Sequence, residues 1–306
     1  METELKKNTK KLFSKIGFLY LAGTIIMIAS QLIFYNVIAL IAPKLVTNYD
    51  GSLLAYMLPM YLVGVPITIF LICRIPSDPI PEKKKMSVGK WIMTFVMCYA
   101  CMYICNVIGL IITNIIGILK NGSVQNAMAD IATTANPLTT FFIAVICAPV
   151  IEEIIFRKLL VDRVSKYGEK VAILLSGFMF GLFHANLHQF VYAFALGCFF
   201  AFIYTRTRNL LYVVTLHMGI NFIGSVLGSI MLEQTGTIIF TIYTLLMLAM
   251  IVTGIVLLIV NRKKFVCNVS ETVIPKGQCF QVVMLNAGMI AFSVVWIAVI
   301  IIQLLL

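Results

Sequence analysis

The sequence predicts an all-α fold, a polytopic transmembrane bundle of eight or nine helices, on three observations. Apolar residues make up 61% of the 306-residue chain and charged residues 11%, against roughly 45–50% and about 25% in an ordinary soluble domain. The chain has a mean hydropathy of +1.02, and its apolar residues gather in long stretches near the about 20 residues that a bilayer core needs. The basic residues collect in alternate connections, as the cytoplasmic loops of membrane proteins do.

Nine apolar stretches run from Gly17 to Ala42, Ser52 to Ile75, Trp91 to Leu119, Pro137 to Phe156, Val171 to Ala185, His188 to Tyr204, Leu210 to Leu232, Gly236 to Val260 and Val282 to Leu306. The first follows a basic segment as a secretory signal does, but exceeds the about 7–15 apolar residues of a cleaved one and reads as a retained anchor. The fifth and sixth are short and separated only by Asn186 and Leu187, so one hairpin turning inside the membrane is the alternative to two spans. Pro76 to Pro81 reads as an extended connector, because each proline removes a donor and restricts the residue before it. The connections are too short to hold a further domain, so residues 1–306 are expected to form a single integral membrane domain.

With the amino terminus inside, all but Lys44 and Lys120 of the 23 Lys and Arg fall on the cytoplasmic side. The net charge of +11 is therefore a topology signal, and no nucleic-acid partner is expected. The eight Cys are scattered singly, mostly within apolar runs, and read as reduced, lipid-buried residues.

Ionisable groups inside a span cost roughly 2.5–3.5 kcal/mol each on the insertion scale, so an intramembrane cluster marks function. Of the 12 acidic residues, Glu152 and Glu153 alone fall within a span. All three histidines, His184, His188 and His217, lie in the same third of the chain, together with Asn221. Residues four apart share a helix face: Glu153 can pair with Arg157, Phe180 stacks on His184, and His217 and Asn221 aim at one place. Glu152 points about 100° away from Glu153. Counted at 1.5 Å per residue from the cytoplasmic ends, Glu152 and His184 lie about 20 Å deep and His217 about 13 Å.

Glu152-Glu153-Ile154-Ile155-Phe156-Arg157, then Phe180 to His184, then His217 to Asn221, in that order, resemble the CPBP family of CAAX proteases and bacteriocin-processing (Abi) enzymes, which includes the Ras-converting prenyl-protein endopeptidase. The resemblance covers about 70 residues and places the catalytic core on the fourth to seventh helices, residues 137–225. By it, Glu152 matches the acid that activates a water with help from His184. Glu153 and Arg157 match supporting positions, and His217 and Asn221 match the pair that polarises the scissile carbonyl.

The expected activity is an intramembrane endopeptidase cutting a membrane-associated peptide or protein near the cytoplasmic side of what is expected to be a bacterial cell membrane. The candidate substrates are a leader or signal peptide, a bacteriocin or a CAAX-like tail. No cofactor is expected; a catalytic zinc on His184, His188, His217 and Glu152 is the alternative, although the adjacent Glu of an HExxH motif is missing. The bland readings are solvated carboxylates at a cytoplasmic helix end and histidines serving as interhelical glue. The non-enzymatic alternative is a membrane immunity protein, scaffold or transporter of the same fold. A transporter is disfavoured because no second copy of the polar set exists. Membrane lipid is the one other partner expected, and oligomeric state has no signature in the sequence.

Overall fold

The computed structural model describes residues 2–77, 81–122, 124, 134–267, 274 and 277–305. Among them are helices and no strand. We number the helices α1 (Glu2–Ile41), α2 (Tyr49–Cys73), α3 (Val88–Leu119), α4 (Pro137–Tyr167), α5 (Glu169–Phe183), α6 (Leu187–Thr207), α7 (Leu210–Leu232), α8 (Ile238–Asn261), α9 (Cys279–Val283) and α10 (Ala287–Leu305). Eight helices are long and apolar enough to cross a membrane; α5, at 15 residues, and α9, at 5, are not among them. The chain is an integral, polytopic helical membrane protein.

Every predicted span is a helix, but helix ends and apolar-run ends differ. The lysine-rich segment before Gly17 is already part of α1, because hydropathy marks the hydrocarbon boundary and not the hydrogen-bonding one. The last apolar run is broken after Val283, where Asn286 accepts the amide of Met289 at 3.0 Å and caps α10. Asparagine caps also start the helices around the site: the side chains of Asn136, Asn186 and Asn209 accept from Leu138, Gln189 and Leu211 at the heads of α4, α6 and α7. Such caps satisfy amides that have no partner within the helix. Arg208 and Ala185, at φ 50° and 54°, occupy left-handed turns after α6 and α5.

Residues 78–80, the middle of the proline connector, lie outside the described residues, as does Lys276 of the basic set. Beyond the prolines, the amide of Lys84 donates to Thr207 O at 2.8 Å, and Tyr212 Oη accepts from the amide of Met86 at 2.9 Å, tying the connector across the ends of α6 and α7. Arg157 and Arg163, counted above among loop cations, are buried. Arg163 instead ties α4 to the end of α2, its Nε donating to Ile75 O at 2.8 Å. Asp162 is a buried acid as well, held by Tyr204 at 3.0 Å, Lys158 at 2.9 Å and Arg208 at 3.3 Å. All eight cysteines are free thiols.

α6 packs against α5 and α3, α3 against α8, and α1 against α2 and α10. Two glycines bring helices together. A Cβ on Gly177 would meet Cys198 Sγ and stand 2.9 Å from both Cys198 N and Phe194 O, while one on Gly197 would stand 2.9 Å from Gly177 Cα and from the Phe180 ring. The α5/α6 contact is thus backbone against backbone, the small-residue packing of membrane bundles. Gly177→Ala is expected to cost about 1–3 kcal/mol through overpacking, read as a lower melting temperature in detergent, whereas Gly224→Ala, with nothing within 4 Å of its added Cβ, leaves it unchanged.

Candidate active site

Glu152 and Glu153 lie near the midpoint of α4, about 22 Å from its Tyr167 end at 1.5 Å per residue. They close a six-residue α-helical segment, Ala148–Glu153, between two π-helical stretches, Phe141–Cys147 and Ile154–Val161. Widened turns of this kind recur at functional sites, and side chains of other helices reach their carbonyls. Tyr20 Oη of α1 donates to Ile155 O at 2.7 Å and Ser176 Oγ of α5 donates to Phe156 O at 2.9 Å. The irregular helix is thereby pinned from both sides.

The two carboxylates diverge as helix geometry requires. Glu153 has no exposure, and its Oε2 stands 2.9 Å from Arg157 Nε one turn away, also fully buried. That guanidinium N–H is not aimed along the line to the oxygen, and Arg157 Nη1 and Nη2 have no hydrogen-bond partner among the described residues. Aromatic faces take their place: the guanidinium carbon is 4.4 Å from the Phe180 ring centroid and 5.5 Å from that of Phe200. A cation against ring faces away from water is stabilised by the ring quadrupoles. Glu152 keeps 19% of its side chain exposed. The reading of both acids as a solvated helix end is therefore overturned.

The other oxygen of Glu153 holds His217 of α7, with Nδ1 to Oε1 at 2.9 Å. A carboxylate accepts, so Nδ1 carries the proton and Nε2 turns toward Glu152 Oε2, 3.8 Å away. At that separation a water fits as a bridge. His184, half-buried at the end of α5, places Nδ1 2.8 Å from Phe180 O. A carbonyl can only accept, so this proton is on Nδ1 and Nε2 presents a lone pair. Both imidazoles stand edge-to-face with one phenyl ring, Phe180, at 4.7 Å for His184 and 5.9 Å for His217. Glu152 and His217 both act electrostatically on His184.

Asn221, one turn beyond His217, takes a different partner. Its Nδ2 donates to Ala144 O of α4 at 2.8 Å. That carbonyl is free for a specific reason: the amide of Ala148 bonds to Ile143 O in the π-helical pattern, and residue 149, next in line, is proline and has no N–H. The carboxamide supplies the donor that α4 lacks.

The structure therefore gathers five of the six candidate residues, Glu152, Glu153, Arg157, His184 and His217, around Phe180, and anchors the sixth, Asn221, on α4 beside them. Sequence spacing missed the bond from Glu153 to His217 and the role of Phe200, which packs 5.3 Å from His217 and carries no local signal. Among the described residues no group of three or more His, Cys, Asp or Glu side chains is arranged to hold a metal ion. His188 is buried on α6 with its ring 6.4 Å from Tyr192, so the set of His184, His188, His217 and Glu152 does not fit a metal, and no step below runs through one.

A buried carboxylate thus orders a histidine opposite a second carboxylate at the centre of a helical membrane bundle. Residues 134–223 match the family described as "Type II CAAX prenyl endopeptidase Rce1-like". The chain is also 28% identical over 163 residues to a Bacillus subtilis (strain 168) protein named "Putative membrane peptidase YdiL"; the match spans 53% of this chain and 66% of that protein. No solved structure matches.

Two outcomes follow from this geometry. Arg157→Met strands the Glu153 carboxylate and is expected to cost about 3–5 kcal/mol in mixed-micelle unfolding, a loss that adding Glu153→Gln partly restores. Pro149→Ala supplies the missing amide to Ala144 O, so thermal stability holds or rises while the side-chain amide resonance of Asn221 shifts in protein labelled with nitrogen-15 at asparagine.

Proposed function

We propose that the chain is an intramembrane endopeptidase that hydrolyses a peptide bond of a membrane-associated peptide or protein, with Glu152 as the general base. The observation that carries this reading is the placement of His217: held at Nδ1 by Glu153, it faces Glu152 across a 3.8 Å gap. A water in that gap donates one hydrogen bond to Glu152, and its second O–H, which stays on the oxygen, donates a hydrogen bond to the His184 Nε2 lone pair. The water oxygen attacks the scissile carbonyl carbon as its proton passes to Glu152. The resulting oxyanion is met by the second Asn221 N–H, not used on Ala144 O, and by His217 when its Nε2 also carries a proton. Glu152 then returns the proton to the amine nitrogen as the carbon–nitrogen bond breaks, leaving a carboxyl and an amine product and the enzyme restored.

Glu153 and Arg157 act as positioning residues in this scheme. Their pairing leaves Glu152 as the carboxylate free to exchange a proton, and removal of either member turns the His217 ring. The distribution of Lys and Arg supports an amino terminus on the cytoplasmic side and the similarity to the Bacillus subtilis protein supports a bacterial cell membrane. Leader or signal peptides and bacteriocins are the substrates we favour over CAAX-like tails.

Quantitative comparison of membrane peptides from cells with and without the protein identifies the substrate, and cleavage is then measured in reconstituted vesicles. Glu152→Gln and His184→Ala are each expected to lower the rate about 10²–10⁴-fold, and Asn221→Ala about 10²–10³-fold, with insertion and melting temperature unchanged for Glu152→Gln. Undiminished turnover by Glu152→Gln would overturn Glu152 as the base, and membranes with and without the protein that show no difference in cleaved peptides would overturn the proposal in favour of a scaffold, immunity or transport role.

A further inference from the structure

Between α1 and the head of α10, far along both helices from the carboxylates, is a hollow of about 350 Å³ lined by Lys7, Lys10, Lys11, Ser14, Asn286 and Ile290, among others. Lys7, Lys10 and Lys11 occupy positions i, i+3 and i+4 and crowd three like charges onto one helix face, an arrangement that repels itself without an anion. Among the described residues none of the three has a carboxylate partner. The cations, and not the helix terminus, define the site: the first amides of α10 are already taken, Gly288 N by Ser14 Oγ and Met289 N by Asn286 Oδ1, each at 3.0 Å.

The base of the hollow is rigid. α1 and α10 cross backbone to backbone where Gly17 meets Gly288, since an added Cβ on either would enter the other helix's backbone. The other side of the hollow is apolar: Leu285 and Ile290 line it at 46% and 47% exposure, and farther along the same two helices Phe18, Ile25 and Val294 are exposed at 48%, 58% and 59%. Cations at one end and an exposed apolar track at the other match an amphiphile with an anionic head. A free anion uses only the first half of that pattern.

We propose that this hollow binds the phosphate of an anionic phospholipid, with its acyl chains lying along the α1/α10 cleft. Basic clusters at the membrane surface gain about one charge interaction of fivefold effect per lysine with anionic lipid, so three lysines give a strong preference over a zwitterionic headgroup.

The test uses the purified full chain in detergent and native mass spectrometry with phosphatidylglycerol, phosphatidylcholine or inorganic phosphate. Phosphatidylglycerol is expected to bind at least about tenfold more tightly than phosphatidylcholine. The triple variant Lys7→Gln, Lys10→Gln, Lys11→Gln removes that preference, while Lys83→Gln, Lys84→Gln, Lys85→Gln, which changes the charge equally elsewhere, retains it. Melting temperature verifies that both triples fold, and if the first triple melts early, Ile290→Gln on the apolar half replaces it and is expected to weaken phosphatidylglycerol at least about threefold. Equal losses in the two triples, no preference between the lipids, or displacement of the lipid by equimolar inorganic phosphate each overturns the assignment.

Discussion

Everything in the centre of this protein is arranged around one buried ion pair. Glu153 and Arg157 have no exposure, and taking such charges out of water costs several kcal/mol per ion. One contact 2.9 Å long does not offset that cost alone. Two aromatic rings and a histidine complete the shell, and each addition couples another helix to α4: Phe180 from α5, Phe200 from α6 and His217 from α7. The pair is an expensive way to hold a bundle together and an effective way to give an imidazole a single orientation.

The second organising device is irregular helix. α2 carries a π-helical stretch at Met60–Gly64, α4 two, and α7 one at Phe222–Leu227. In a lipid environment a backbone carbonyl without its regular donor must find another. Tyr20, Ser176 and Asn221 provide donors from three different helices. The same bonds that satisfy α4 fix its rotation, and the rotation decides which of two adjacent carboxylates is sealed and which meets the site.

Much of this was legible in the amino-acid order. Apolar runs located every span, and helix periodicity anticipated Glu153 on Arg157 and Phe180 on His184, both of which the structure shows. The misjudgements have physical causes. His217 and Asn221 share a face, but their partners, a carboxylate 64 positions away and a carbonyl freed by Pro149, depend on how α7 sits against α4. The packing role of the glycines of α5 and α6 was not legible because a missing side chain has no sign of its own; only a neighbouring backbone shows that it makes room for close packing. Phe200 carries no local signal because the two groups beside its ring, Arg157 and His217, come from other helices.

The brevity of α5 has a consequence for the surrounding bilayer. At about 22 Å it falls short of a hydrocarbon layer about 30 Å thick, and its neighbour α6 turns back immediately through Ala185 and Asn186. Lipids bordering a short element thin locally to avoid exposing polar groups to acyl chains. A bilayer thinned where α5 meets lipid, at the exposed Leu174, would bring its headgroup region closer to His184 and shorten the path of a water molecule through oil.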